Sequence, residues 1–161
     1  MQVNIHHLIL KFERFNLFYF FMEFRSTCPV SNVLDIVGDK WSLLIIRDLF
    51  IGRNTYSDFL EAPERISTNI LVDRLKKLNQ YGLIEFTRNS KDKKIKTYNL
   101  TSKGIDFYPI MAEMAVWSRK NLDVEFHTLS VEMFKDIDSI GLEKHISNTM
   151  EGYRKQLVNN N

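Results

Sequence analysis

The stretch Ser67–Tyr81 constrains the fold more than any other part of the chain. Ser67 is a favourable N-cap for a helix. Gly82 stands just past the helix end, where the backbone often turns left-handed and glycine adopts that conformation at the lowest cost. The pattern predicts an amphipathic helix with a polar outward face, although an ordinary surface helix would show the same periodicity. Its apolar face is a stripe of leucines at helical spacing: Leu71, Leu75 and Leu78.

Two short runs rich in strand-forming residues follow this helix, Ile84–Arg88 and Ile95–Leu100. The residues between them are polar and basic, which predicts the tip of a β-hairpin. A helix followed directly by a basic hairpin is typical of a winged helix-turn-helix, in which the helix enters a major groove and the hairpin lies along phosphates. We therefore expect a mainly α fold with a small β-hairpin wing, an α+β arrangement.

Basic residues are concentrated in this same segment. Arg65–Lys96 contains nine basic and three acidic residues, a net charge of +6, whereas the whole 161-residue chain carries +2. Such concentration is typical of a nucleic-acid-binding surface, and a solvated charged face is the alternative interpretation.

The outward face of the predicted helix carries the candidate base-reading side chains. Asn69 suits adenine and Val72 suits a thymine methyl group, because an amide can bond both adenine edge atoms and an apolar side chain can contact the methyl. The full set of candidates is Thr68, Asn69, Val72 and Lys76.

Phosphate contacts are expected from basic and hydroxyl side chains around this helix and on the hairpin. Lys40 could instead be an ordinary solvated lysine. Arg74 points towards the leucine stripe, so it could instead have a structural role. The candidates are Lys40, Arg65, Ser67, Arg74, Lys91, Lys93 and Lys94.

Helices are predicted on both sides of this region. Pro29–Val37 and a segment from Lys40 to about Ile51 precede it, and Ser57 is expected to cap a short helix over residues 58–62. Thr101 is expected to cap a long helix that runs to about Leu122. One apolar stripe of that helix consists of Ile110, Met114 and Trp117. It is assigned to a subunit interface, and burial inside a monomer is the alternative.

The chain is divided into three parts. Residues 1–25 are rich in phenylalanine and are interpreted as an interface helix or as a leader before a natural start at Met22, in preference to a membrane-surface segment. Residues 26–122 form the predicted winged domain. Residues 123–161 are expected to add two helices broken at Gly141 and a disordered Asn-rich end; this tail either lengthens the dimer interface or covers the core.

Other functional classes have little support in the sequence. The chain contains no phosphate-binding loop, no nucleophile elbow and no Cys/His cluster with zinc spacing, so neither an enzyme nor a cofactor is predicted. Its single cysteine, Cys28, cannot form an internal disulfide, which fits a cytoplasmic protein. A module that docks an acidic protein partner through the basic hairpin is the alternative to a DNA-binding regulator.

The segment Cys28–Leu122 resembles the HxlR-type winged helix-turn-helix transcriptional regulators. The resemblance implies a homodimer on pseudo-palindromic operator DNA, regulated in some members by an oxidant or electrophile at a cysteine corresponding to Cys28; N-terminal packing is its alternative role. Trp117 stands where the family often has a tryptophan in its dimer helix. The matching motifs, in order, are Cys28-Pro29-Val30, Gly38-Asp39-Lys40-Trp41, Tyr56-Ser57-Asp58-Phe59, Leu71-Val72-Asp73-Arg74-Leu75, Gly82-Leu83-Ile84 and Tyr98-Asn99-Leu100-Thr101.

Overall fold

A computed structural model describes residues 24–88 and 95–159. The chain divides into two compact units, Met1–Gly38 and Asp39–Asn161. The expectations for residues 1–23, for the hairpin tip with Lys91, Lys93 and Lys94, and for the last two residues lie outside the described residues. Among the helices that are described, none is long and apolar enough to cross a membrane.

The first unit contains helix α1, Pro29–Val37, with Cys28 at its N-cap position and proline in its first turn. Proline suits this place because its missing N–H would have no helical partner. Arg25 lies 2.8 Å from the carboxylate of Asp35. Among its apolar residues at helical spacing, Val37 is buried, whereas Val30, Val33 and Leu34 are exposed.

The second unit contains the remaining elements. Three helices and a hairpin come first, and four further helices follow. They are α2 (Ser42–Phe50), α3 (Tyr56–Leu60), α4 (Thr68–Gln80), β1 (Ile84–Arg88), β2 (Lys96–Leu100), α5 (Ser102–Ile105), α6 (Tyr108–Asn121), α7 (Thr128–Ile140) and α8 (Leu142–Asn159).

The helix-turn-helix consists of α3 and α4. Helix α3 begins earlier than predicted: Thr55, not Ser57, caps it, in a capping box with Asp58. The Thr55 hydroxyl accepts from the Asp58 amide, and the Asp58 carboxylate accepts from the Thr55 amide at 2.8 Å. Because two backbone donors are satisfied reciprocally, this pair decides where the helix starts.

The hairpin pairs β1 with β2 in antiparallel register, from Ile84 opposite Leu100 to Arg88 opposite Lys96. The predicted strands are confirmed to within one residue. An isolated bridge between Thr55 and Thr97, with the Tyr98 amide donating to the Asn54 carbonyl at 2.8 Å, joins the hairpin to the start of α3. This bridge fixes the wing against the helix-turn-helix.

The single long helix predicted from Thr101 to Leu122 is wrong, because the structure divides it into α5 and α6. Thr101 does cap the first piece, accepting from the Gly104 amide at 3.2 Å. Pro109 lies in the first turn of α6, where it starts a new helix instead of bending an existing one.

Helices α7 and α8 are separated at Gly141, which has a φ of +85°, as the predicted break requires. Helix α8 covers the core of the second unit. The Tyr153 ring lies 5.1 Å from that of Phe50, and the Tyr108 hydroxyl lies 2.8 Å from Nε2 of His145. The tail was expected either to lengthen the dimer interface or to cover the core, and the contacts of α8 agree with the second expectation.

Candidate nucleic-acid interface

Helix α4 presents its predicted outward face to solvent. Its leucine stripe is confirmed, since Leu71, Leu75 and Leu78 are all buried. At 100° per residue, burying these leucines turns the opposite side of the helix outward. The four candidate base-reading residues are all exposed. Asn69 and Lys76 lie on the side opposite the leucines, Val72 lies on its flank, and Thr68 is the first residue of the helix.

The C-terminal end of α4 is held in a Schellman motif. The Gly82 amide donates to the Asn79 carbonyl at 3.0 Å, and the Leu83 amide donates to the Leu78 carbonyl at 2.9 Å. Gly82 has a φ of +67°, so glycine is needed there. This motif sets the point at which the chain leaves α4 for β1.

The N-terminal end of α4 is arranged differently from the prediction. Ser67 occupies the N-cap position with an extended backbone, but within the described residues its hydroxyl makes no capping hydrogen bond. The Tyr56 hydroxyl instead donates to the Thr68 carbonyl at 3.3 Å, which ties α3 to α4. The exposed Ser67 hydroxyl and the first amides of α4 are thus available to a ligand such as a phosphate.

Arg65 lies in the turn between α3 and α4 with a φ of +53°. It is the one non-glycine residue with positive φ in the described part of the chain. This conformation costs an L-amino acid roughly 1 kcal/mol or more. The turn thus presents an exposed guanidinium at the entrance to α4 at a backbone cost that glycine would avoid.

An ion-pair network positions this turn. Arg47 on α2 donates from Nη1 to Glu64 at 2.6 Å and from Nη2 to the buried Asp48 at 2.7 Å. Burial alone would lower the pKa of Arg47, but its hydrogen bonds to Glu64 and Asp48 raise it. Glu64 adjoins Arg65, so the network restrains the residue that carries the exposed charge.

Arg74 is held by carboxylates of the chain itself. Its Nε lies 2.9 Å from Oδ1 of Asp39, an ionic contact without good hydrogen-bond alignment, and Nη1 contacts Asp73. The Asp39 carboxylate also accepts from the Trp41 and Ser42 amides at the start of α2. The geometry favours the structural interpretation of Arg74 over a phosphate contact.

Lys40 is exposed at the start of α2, and its Nζ lies 5.0 Å from the centroid of the Trp41 ring. This contact holds the lysine stem against the indole and leaves the ammonium in solvent. Lys40 therefore stays a candidate for a phosphate contact.

Helix α6 exposes an apolar face away from the core. Ile110, Met114 and Trp117 are 45%, 53% and 59% exposed, at positions that share one side of the helix. Burial inside a monomer, the alternative weighed from sequence, does not describe these three side chains. Large apolar residues in a contiguous exposed group are typical of a protein–protein contact.

Cys28 is a free, exposed thiol. The nearby Arg25 is paired with Asp35, and the Cys28 amide donates to the Ser26 hydroxyl at 2.9 Å. The thiol is therefore accessible to solvent.

Sequence reasoning missed several partners of the interface. Neither the ion pair between Asp39 and Arg74 nor the Arg47–Glu64 contact was predicted from the sequence. Both pairs join residues far apart in the chain, so no local periodicity marks them.

Among the described residues, no group of three His, Cys, Asp or Glu side chains could hold a metal ion.

The HxlR-like helix-turn-helix family model matches residues 36–126, which is more than half of the chain. The match covers every element from α2 to α6 and the hairpin between them. The chain belongs to the HxlR-like helix-turn-helix family of DNA-binding transcriptional regulators.

Individual members of the family are also similar to the chain. The uncharacterized HTH-type transcriptional regulator sll1512 of Synechocystis is 32% identical over 92 residues, covering 57% of this chain and 68% of that one. The redox regulator HypR in its oxidised form matches with a TM-score of 0.52 and 28% identity, over 60% of this chain and 100% of that one. The reduced form of the transcriptional regulator YodB of Bacillus subtilis matches with a TM-score of 0.51 and 28% identity, over 61% of this chain and 97% of that one.

Proposed function

We propose that the protein is a homodimer that binds a pseudo-palindromic operator in double-stranded DNA, with α4 of each subunit in a major groove. The observation that supports this proposal is the exposed polar face of α4, held by three buried leucines beside a two-stranded wing. Membership of a family of transcriptional regulators agrees with it. Such a protein acts on the chromosome, in the cytoplasm.

Each side chain of the interface has a distinct task. Asn69 would bond N6 and N7 of an adenine, Val72 would contact a thymine methyl group, and Thr68 and Lys76 would bond neighbouring base edges. Arg65 and Lys40 would bind phosphates, which fix register but carry little sequence information.

The remaining phosphate candidates differ in their support. Ser67 is exposed beside the first amides of α4, which favours a phosphate contact. Lys91, Lys93 and Lys94 are assigned to phosphates from the sequence, because a basic hairpin tip suits the DNA backbone. Arg74 is withdrawn from this set, since it is engaged by Asp39 and Asp73.

The homodimer would form through the exposed face of α6. In a two-fold dimer that binds such an operator, the two copies of α4 would meet half-sites about one helical turn apart, roughly 34 Å. The operator would then share the approximate two-fold symmetry of the protein.

Cys28 is proposed to make the regulator responsive to oxidants. The thiol is exposed, and the similar protein HypR is described as a redox regulator. With one cysteine per chain, oxidation to a disulfide must join two molecules. After treatment of the protein with diamide, a non-reducing gel should show a cross-linked dimer that Cys28→Ser abolishes.

Fluorescence anisotropy with DNA from upstream of the protein's own gene tests the main proposal. A scrambled duplex of equal composition is the control, and both are titrated at low and near-physiological salt. Preference for the native duplex that survives the higher salt is expected. Equal binding that disappears with salt would contradict sequence-specific recognition of this duplex and leave the basic segment as a nonspecific patch. Absence of binding to either duplex would favour an acidic protein partner.

A further inference from the structure

A cavity of about 710 Å³ opens between α4 and the hairpin. Leu75 and Tyr98 line it and are buried, so they form its floor. Val72, Phe86 and Ile95 line it and are partly exposed, so they form its walls. The volume lies within the range of small-molecule sites, roughly 300–1,000 Å³.

The walls carry more apolar surface than a DNA contact needs. Val72 is 55%, Ile95 45% and Phe86 37% exposed, and all three face one concave space. Phosphates and sugars are bound mainly by charged and polar groups. An apolar concave site with a few polar groups is instead characteristic of a pocket for a small organic molecule.

The described lining residues of the cavity carry a net positive charge. Lys76 and Lys96 line it, whereas no acidic side chain is among its described lining residues. The Lys96 ammonium lies 4.2 Å from the centroid of the Phe86 ring, so a cation stands directly above an aromatic wall. A ligand that places a ring against Phe86 would bring an attached anionic group within reach of these lysines.

The geometry points to this cavity as an effector site for a planar aromatic carboxylate, whose binding excludes DNA from the same subunit. The rings would lie between Phe86, Ile95 and the Tyr98 floor, with the carboxylate at Lys96 and Lys76. Val72 and Lys76 belong both to the cavity and to the proposed base-reading face, which is why occupancy and DNA binding compete. The competition rests on the proposed DNA-binding function; the binding of the carboxylate does not.

Calorimetric titration of the free full-length protein with 2-naphthoate tests the site. Saturable binding of one molecule per chain is expected. The neutral isostere 2-naphthamide should bind about tenfold more weakly, the loss that one charge-assisted contact supplies. Equal affinity for the acid and the amide would overturn the assignment of an anion.

Two lining variants and two matched controls locate the binding. Lys96→Gln and Phe86→Ala should each weaken 2-naphthoate about tenfold, whereas Lys135→Gln and Leu129→Ala, exposed positions on α7, should leave it unchanged. Lys96→Gln removes only a charge from a strand end, so it keeps the test valid even if Phe86→Ala disturbs the hairpin. Affinity that is insensitive to both lining variants would overturn the site.

The competition is tested separately by anisotropy. The apparent Kd for operator DNA should rise in proportion to 2-naphthoate concentration, and Lys96→Gln should shift this rise to about tenfold higher concentrations. DNA affinity that stays constant while the cavity is saturated would overturn the regulatory part of the inference. If the protein binds no DNA at all, the proposed function fails, and calorimetry still decides the cavity.

Discussion

The Tyr153 hydroxyl accepts a hydrogen bond from the backbone amide of Leu100 at 3.0 Å. Tyr153 belongs to α8, beyond the segment 36–126 that matches the family model, and Leu100 is the last residue of β2. Tyr153 is buried and its ring lies against Phe50 on α2. The C-terminal helix therefore satisfies a backbone donor at the base of the wing and is an integral part of the second unit.

Tyr153→Phe is expected to lower the free energy of unfolding by about 1–3 kcal/mol, because it leaves a buried backbone donor without its acceptor. Urea denaturation followed by circular dichroism measures the change. Val158→Ala on the same helix is the control: that residue is 75% exposed, and a change within about 0.5 kcal/mol is expected. A Tyr153→Phe protein as stable as the wild type would mean that water replaces the hydroxyl.

Local pattern predicted most of the elements. The leucine stripe of α4, the two strands of the hairpin and the Gly141 break follow from periodicity and turn chemistry between near neighbours. The break between α5 and α6 did not, since proline in a helix bends it or begins a new one, and only packing decides which. The Tyr153–Leu100 and Arg74–Asp39 contacts lie outside such reasoning because they join residues 53 and 35 positions apart.

The pH dependence of stability should reveal the Asp39 cluster. Burial raises the pKa of Asp39, but the hydrogen bonds from the Ser42 hydroxyl and the Trp41 amide, together with the contact with the Arg74 guanidinium, outweigh burial and hold the pKa below its usual value. A carboxyl whose pKa is depressed on folding stabilises the protein above its unfolded pKa and loses that stabilisation as the pH falls through the folded value.

Asp39→Asn should therefore be less stable than the wild type at pH 7, and the difference should shrink as the pH falls from about 4 towards 2. Urea denaturation across this range measures it. Asp123→Asn, at an exposed position, is the control for the loss of a surface carboxylate. If the difference in the free energy of unfolding between Asp39→Asn and the wild type did not change with pH, the substitution would destabilise the protein through lost packing and not through the lost charge.

The backbone cost at Arg65 can be separated from its charge. Both Arg65→Ala and Arg65→Gly remove the guanidinium, but only glycine tolerates a φ of +53° freely. The glycine variant should be about 1 kcal/mol more stable than the alanine variant. Their DNA affinities should fall equally. Thermal unfolding compares the stabilities, and equal melting temperatures would indicate that the turn relaxes out of the left-handed region.

Trp117→Asp should dissociate the proposed homodimer, because it places a charge within the exposed apolar face of α6. Light scattering with size-exclusion chromatography should show a shift from dimer to monomer at micromolar concentrations. Val131→Asp on α7 is the matched control at another exposed apolar position and should leave the mass unchanged. A dimer that persists in Trp117→Asp would place the interface elsewhere.

Asn69→Ala separates base reading from electrostatic attraction. A side chain that bonds an adenine edge discriminates against the wrong base by about 1–3 kcal/mol, so its loss should relax specificity at one or two operator positions. Arg65→Ala should instead weaken all sequences similarly and reduce the dependence of log Kd on log salt concentration by about one unit. Anisotropy on single-base operator variants measures both effects. If Asn69→Ala and Arg65→Ala weakened every duplex by the same factor, Asn69 would be a backbone contact, and the specificity of α4 would have to come from Thr68, Val72 and Lys76.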